Sequence, residues 1–254
     1  MREILFIGHG NMALSIAKAL KDDYAISVAG RDVSRVANFE KALGCRVQKL
    51  KLESLDISGK IVLLCIKPFA VDEVSQKLKG KATALYSVLA GTTLESLRVI
   101  DSDAYIRAMP NLAAELNSSM TTLCGDQKLQ SEAEELFGYI GKTLFVRSQK
   151  ELDVATALAG SGPAYLSLIA EALTDGAVKQ GIRREDAMLL TRGLFTGFAD
   201  LLQQSHPALI KDRVMSPAGT TAAGYSALER AGVRSGCIDA IEDAYRVTQQ
   251  KGSK

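Results

Sequence analysis

The sequence predicts an α/β protein in two parts, a dinucleotide-binding sheet domain over 1–148 followed by an all-helical domain over 149–254. Three observations predict it. Short apolar runs alternate with amphipathic segments through the first part, the pattern of a parallel sheet covered by helices on both faces. A glycine-rich loop stands between the first apolar run and the first amphipathic segment. After Arg147 the strand pattern stops, and every later segment has helical periodicity.

The first turn carries the clearest chemistry. Ile4-Leu5-Phe6-Ile7 is an unbroken apolar run, which suits a parallel strand buried on both faces. Gly8-His9-Gly10-Asn11-Met12-Ala13 follows it and matches the dinucleotide fingerprint, with Ala13 small enough at the third position for a helix to pack on the strand. Gly8 and Gly10 let backbone come close to a ligand. The helix over 12–20, with Leu14, Ala17 and Leu20 on one stripe, would aim its positive end at a phosphate. An ordinary tight turn also uses such glycines, but the strand before and the helix after favour a nucleotide site.

Further strands are predicted over 25–29, 46–48, 60–66, 83–89 and 104–108, with 121–124 and 143–146 extending the sheet. Helices over 34–43, 70–78 and 94–99 fit between them. Thr92 before Glu95, Ser131 before Glu134 and Ser148 before Glu151 have capping-box spacing, so each marks a helix start, and the last sets the domain boundary. The helix begun there should run to Gln180, loosened or bent at Gly160-Ser161-Gly162-Pro163. Helices over 184–203, 207–214, 221–231 and 235–250 complete the chain, and 251–254 should fray. Because 155–162 and 166–172 are apolar nearly all round, the helical half is expected to form a homodimer; packing on its own sheet domain alone is the alternative.

Composition narrows the function. A net charge of +2 over 254 residues gives no reason to expect nucleic acid or an anionic membrane. Partners are therefore expected to be small molecules or further copies of the chain. The apolar run after Met1 is too short for a secretion signal and no stretch is expected to reach a membrane span, so the location should be cytoplasmic. Cys45, Cys65, Cys124 and Cys237 are scattered and read as reduced structural thiols, with no metal site. The only histidines are His9 and His206, and no Ser-His-Asp set or paired carboxylates can be assembled. Hydride transfer remains, because there the cofactor brings the chemistry and the protein supplies orientation.

The second strand ends in Ala29-Gly30-Arg31-Asp32, where an NAD site usually has an acid for the ribose. Gly30 leaves room and Arg31 offers a fork suited to a phosphate, which favours NADP(H); Asp32 argues the other way, and a solvated Arg31 is the plain alternative. Ile66, Lys67 and Pro68 end one later strand and Val88, Leu89 and Ala90 another, so both turns should border the cofactor. Whether Lys67 caps the turn or contacts ribose stays open. Met109-Pro110-Asn111 should face the crevice at the end of the sixth strand. Downstream, small and hydroxyl residues from Ser216 through Gly219, Thr220 and Thr221 lead into a helix; they form either a carboxylate cradle or a loop with a Ser cap.

Together, Gly8 to Ala13, Ile66-Lys67-Pro68, Met109-Pro110-Asn111, Gly160-Ser161-Gly162-Pro163-Ala164-Tyr165 and Ser216-Pro217-Ala218-Gly219-Thr220-Thr221 resemble the pyrroline-5-carboxylate reductases, in order and over nearly the whole chain. The two blocks in the helical half are the specific ones. The resemblance implies a Rossmann-type domain followed by a helical domain whose long helices interlock between two subunits. It implies reduction of 1-pyrroline-5-carboxylate to L-proline by hydride from NADPH, or less often NADH, in homodimers or larger assemblies. Carried onto this chain, Gly8, His9, Gly10, Asn11 and Met12 would bind the pyrophosphate, Arg31 would lie by the adenosine ribose, and Ser216, Gly219, Thr220 and Thr221 would hold the substrate. Thr221 would hydrogen-bond the ring nitrogen.

Four positions depart from the family pattern: Ala218 and Ala159 where Gly and Ser are frequent, Gln149 where some members have an acid near the substrate, and Leu52 where some place Asn by the ribose. Two other functions fit the sequence less well. A hydroxyacid dehydrogenase would need a catalytic lysine, for which Lys179 beside Gly181 is the candidate without an evident Asn partner. A dinucleotide sensor would have no need of Ser216, Thr220 and Thr221.

Overall fold

The first strand, β1 (Arg2–Ile7), lies inside the sheet with strands on both sides, and Ile4 through Ile7 are wholly buried. It pairs in parallel with β2 (Tyr24–Gly30) on one side and β5 (Ile61–Leu64) on the other. The computed structural model describes residues 2–252. The other strands of the sheet are β3 (Gln48–Lys51), β7 (Ala84–Ser87), β8 (Tyr105–Met109), β9 (Ser119–Gly125) and β10 (Gly141–Phe145), while β4 (Leu55–Asp56) and β6 (Leu78–Lys79) pair separately. The order is β10-β9-β8-β7-β5-β1-β2-β3. Because the chain leaves β1 toward β2 and later returns to its other side, a switch point opens beside β1 at the carboxyl ends, where such sheets hold their ligands.

Helices α1 (Asn11–Leu20), α2 (Val33–Leu43), α3 (Val71–Ser75), α4 (Leu94–Leu97) and α5 (Gln130–Gly138) cover the sheet. Successive strand residues face opposite sides. Ile4, Phe6, Val28 and Tyr86 accordingly pack with Ile16, Phe39 and Phe137, whereas Leu5, Ile7, Val62 and Leu85 pack with Val71, Val74 and Leu97. Each large apolar side chain so buried stabilises the fold by roughly 1.5–3 kcal/mol. The buried stripe of α1 is Ala13, Ile16, Ala17 and Leu20, with Leu14 only half-buried, so it is rotated slightly from the expected one.

Several expectations need correction. The strand expected at 46–48 lies at Gln48–Lys51, because α2 ends at left-handed Gly44 and the Val47 amide donates to the Glu40 carboxylate rather than to the ladder. The helix expected over 70–78 is only α3. Thr93, not Thr92, caps α4, accepting from the Ser96 amide at 3.1 Å. Ser131 lies inside the first turn of α5, which begins a residue earlier from a 3-10 turn at Gln127–Leu129. The expected extension of the sheet includes one antiparallel neighbour, β9, because Leu112–Leu116 is a 3-10 turn too short for a crossover.

Helix α6 (Gln149–Ala155) begins as expected at Ser148, whose hydroxyl accepts from the Glu151 amide at 3.2 Å. A π-turn, Thr156–Gly160, precedes α7 (Gly162–Lys179). As expected, Gly160 to Pro163 loosen the helix without ending it; the correction is that an 18-residue stretch within Gln149–Lys179 reaches a mean hydropathy of 1.2, long and apolar enough to cross a membrane, where none was expected. Helices α8 (Arg184–Gln204), α9 (Pro207–Val214), α10 (Thr220–Arg230) and α11 (Val233–Gly252) follow. The expected fraying at 251–254 falls in part on Ser253 and Lys254, outside the described residues.

By its internal contacts the chain forms two units, Met1–Ser161 with Ala244–Lys254, and Gly162–Asp243. Within the second, α7 and α8 are tied by the Thr174 and Thr191 hydroxyls at 2.9 Å and by an Arg184–Asp175 ion pair. Thr174, Ala187 and Ile210 are buried there, yet Leu168, Leu189, Leu190 and Leu194 are more than half exposed.

Candidate active site

Gly8 ends β1 with φ +110°, donating its amide to the Ala29 carbonyl at 2.9 Å, while Cys65 donates to Ile7 at 2.8 Å. A Cβ on Gly8 would stand 2.4 Å from the Cys65 carbonyl oxygen. Gly10 caps α1 without a side-chain bond, the first turn of α1 has no acid, and a Cβ on Gly10 would meet nothing within 4 Å. Bare amides at a helix start, open to approach and facing no competing carboxylate, fit an anion such as a pyrophosphate. These are the residues that would hold a dinucleotide, and they fit it.

The loop opens on a groove of ≈ 1620 Å³. Gly8, His9, Gly10, Asn11, Met12, Arg31, Ile66, Lys67, Pro68, Val88, Leu89 and Ala90 all line it, so the expected cofactor residues from four strand ends come together. His9 packs over Gly30: a Cβ there would meet His9 Cδ2 at 2.7 Å. Lys67 precedes the 3-10 turn Pro68–Ala70, with its side chain exposed.

Asp32 is committed elsewhere. Its carboxylate accepts from the Ser34 amide at 2.8 Å and the Ser34 hydroxyl at 2.6 Å, capping α2, and these bonds hold its carboxyl below the usual carboxylate range. Arg31, by contrast, reaches only Glu73 among the described residues, at 3.5 Å. Arg35 lines the same side of the groove.

Met109 and Asn111 are not among the groove residues. Met109 is buried with Cys124 and Leu152. Asn111 accepts from the Ala113 amide and donates to the Ala159 carbonyl, each at 3.0 Å, so its side chain ties the turn after β8 to the π-turn. Gln149, expected near the substrate, accepts from the Leu94 amide at 2.7 Å and from Arg107 at 3.4 Å and donates to Glu95 at 3.1 Å. Leu52 does line the groove.

Sequence reasoning passed over Arg107, which is 2 % exposed and pairs with Asp153 at 2.9 Å. Its signal was a charge inside an apolar strand, which needs a buried counter-charge. Burial pushes the Cys65 thiol well above its ordinary range, in keeping with an inert structural cysteine.

In the second unit, α9 ends at Met215 and the chain turns through Ser216, Pro217 and Ala218 to Gly219, the cap of α10. The Gly219 amide donates to the Ser216 carbonyl at 3.1 Å, and a Cβ on Gly219 would stand 2.3 Å from Ser216 Oγ. Only glycine lets that hydroxyl fold over the helix start. Thr220 is exposed and Thr221 half-buried in the first turn, which again has no acid. Among the described residues neither hydroxyl has a hydrogen-bond partner. The turn thus offers free amides and free hydroxyls together.

Comparison with known proteins agrees with both halves. Residues 149–251 match the family described as pyrroline-5-carboxylate reductase dimerisation, and residues 3–91 the one described as NADP oxidoreductase coenzyme F420-dependent. A pyrroline-5-carboxylate reductase of Synechocystis is 36% identical over 262 residues, covering 98% of this chain and 97% of its own. The chain belongs to the pyrroline-5-carboxylate reductase family. The crystal structure of the reductase from Streptococcus pyogenes superposes with a TM-score of 0.86 at 31% identity, covering 98% of each chain. That of Plasmodium falciparum, solved with NADP bound, shares the fold at a TM-score of 0.79 and 20% identity, covering 99% of this chain and 98% of its own. Membership in this reductase family makes the chain an oxidoreductase using a nicotinamide cofactor, with a Rossmann-type domain and a helical dimerisation region.

Proposed function

We propose that the chain reduces 1-pyrroline-5-carboxylate to L-proline, the last step of proline biosynthesis, as a cytoplasmic homodimer or larger homo-oligomer that prefers NADPH to NADH. The observation that carries this is the full-length match to pyrroline-5-carboxylate reductases in a chain whose free-amide turns stand at Gly10 and Gly219. Bound at the first turn, the nicotinamide cofactor supplies the hydride that the imine carbon accepts. The α1 amides hold the pyrophosphate, and Ile66 to Pro68 with Val88 to Ala90 wall the groove. At the second turn the α10 amides and the Ser216 hydroxyl take the substrate carboxylate, while Thr221 hydrogen-bonds the ring nitrogen and Thr220 orients the ring. A protonated imine is already electrophilic, so orientation and exclusion of water carry the catalysis without a strong acid.

Preference for NADPH rests on Arg31, free of any bond to Asp32, and on Asp32 being occupied as a helix cap. Dimerisation rests on the uncovered leucines of α7 and α8 and on the dimerisation family matched there. We read the long apolar helix as a face for a second copy and not for lipid, since Glu171 and Asp175 lie within it. A boundary between 148 and 149 rests on the Ser148 cap and on the start of that match. The test is loss of reduced-nicotinamide absorbance when purified protein meets 1-pyrroline-5-carboxylate with NADPH and, in parallel, NADH. Faster oxidation of NADPH with proline appearing is expected; no oxidation by folded, NADPH-binding protein would point to a sensor or another dehydrogenase.

A further inference from the structure

Arg31 and Glu73 come from two different strand ends. Arg31 follows β2, and Glu73 lies in α3, just past the turn after β5. Arg31 lines the groove, and its side chain meets that of Glu73 at 3.5 Å, the two being 63% and 49% exposed. Glu73 has a second partner in Lys77, at 3.1 Å. Bonding to Lys77 holds the Glu73 carboxyl below the usual carboxylate range, so it stays ionised at neutral pH. The nearer carboxylate in sequence, Asp32, is turned toward Ser34 and Arg35.

We propose that Glu73 is a specificity-determining residue, setting how strongly the site prefers a cofactor with a 2′-phosphate by competing for Arg31. The inference rests on the reading that Arg31 receives that phosphate. A phosphorylated cofactor must draw Arg31 away from Glu73, and breaking that pair is the cost Glu73 imposes. Lys77 keeps Glu73 paired during the exchange, which makes the exchange easy to reverse. A cofactor without the phosphate asks nothing of Arg31 and leaves the pair intact. Glu73 therefore subtracts from affinity for NADPH and leaves affinity for NADH alone.

The experiment is calorimetric titration of the full-length protein with NADPH and with NADH, for the wild type, Glu73→Gln, Arg31→Ser and the double variant. An exposed ion pair is weak, so Glu73→Gln should tighten NADPH about two- to fivefold with NADH unchanged. In the Arg31→Ser background the same change should do nothing. Glu73→Gln leaving NADPH affinity unaltered, tightening both cofactors alike, or keeping its effect without Arg31 would overturn the role of Glu73. If Arg31→Ser weakens both cofactors equally, the 2′-phosphate reading itself fails. Selective loss of NADPH in Arg31→Ser with an inert Glu73→Gln overturns the Glu73 inference alone.

Discussion

Gly8 stands so close to Cys65 that a Cβ on it would lie 2.4 Å from the Cys65 carbonyl oxygen, a backbone atom that cannot turn aside. Its φ of +110° is in addition one that other residues avoid. Gly8→Ala should cost on the order of 3 kcal/mol, since overpacking and backbone strain act together. Thermal unfolding should show a clear fall in Tm, and titration of the surviving folded protein a loss of cofactor binding. Wild-type stability with intact binding would refute the tight approach.

Thr221 is half-buried in the first turn of α10 with its hydroxyl free. Thr221→Ala should lower kcat roughly 10²-fold, as loss of one oriented transition-state hydrogen bond does, while the Kd for NADPH stays unchanged. Steady-state kinetics with a parallel binding titration separate the two effects. Unchanged turnover would remove Thr221 from the mechanism.

Ala218 has φ +56°, a left-handed conformation that costs an L-residue roughly 1–2 kcal/mol. This is the position where the resemblance leads one to expect glycine. Ala218→Gly relieves that strain but frees the unfolded chain, so the net gain should be about 1 kcal/mol or less, a rise in Tm of about 2–4 °C. A fall in Tm would show that the methyl group makes contacts worth more than the strain.

Arg107 is buried on β8, and Asp153 of α6 is its ion-pair partner. Removing the acid alone strands a buried charge, so Asp153→Ala should destabilise by about 3–5 kcal/mol, whereas Arg107→Met should cost less because the Asp153 carboxylate it leaves behind is partly exposed to water. Chemical denaturation of both variants checks the order. Equal or reversed costs would mean that the pair is not what joins α6 to the sheet.

The parts of the fold legible in the sequence were those with strong local pattern: the buried run Ile4 to Ile7, the glycine loop and the Ser148 cap. What escaped depended on partners distant in the chain. Arg107 went unnoticed because its partner, Asp153, stands far along the sequence. Asn111 looked like a crevice residue, but its amide is used by Ala113 and Ala159. Asp32 looked like a ribose acid, and only the geometry of Ser34 turned it into a cap. The antiparallel turn into β9 is likewise decided by packing and not by residue type.

The most direct measurement follows the hydride itself. Reduced cofactor carrying deuterium at its transferable position is incubated with the protein and 1-pyrroline-5-carboxylate, and the product is analysed by mass spectrometry and NMR. L-Proline with one deuterium on Cδ, the former imine carbon, is the predicted result. Proline without deuterium, or no proline from folded protein that binds the cofactor, would contradict it.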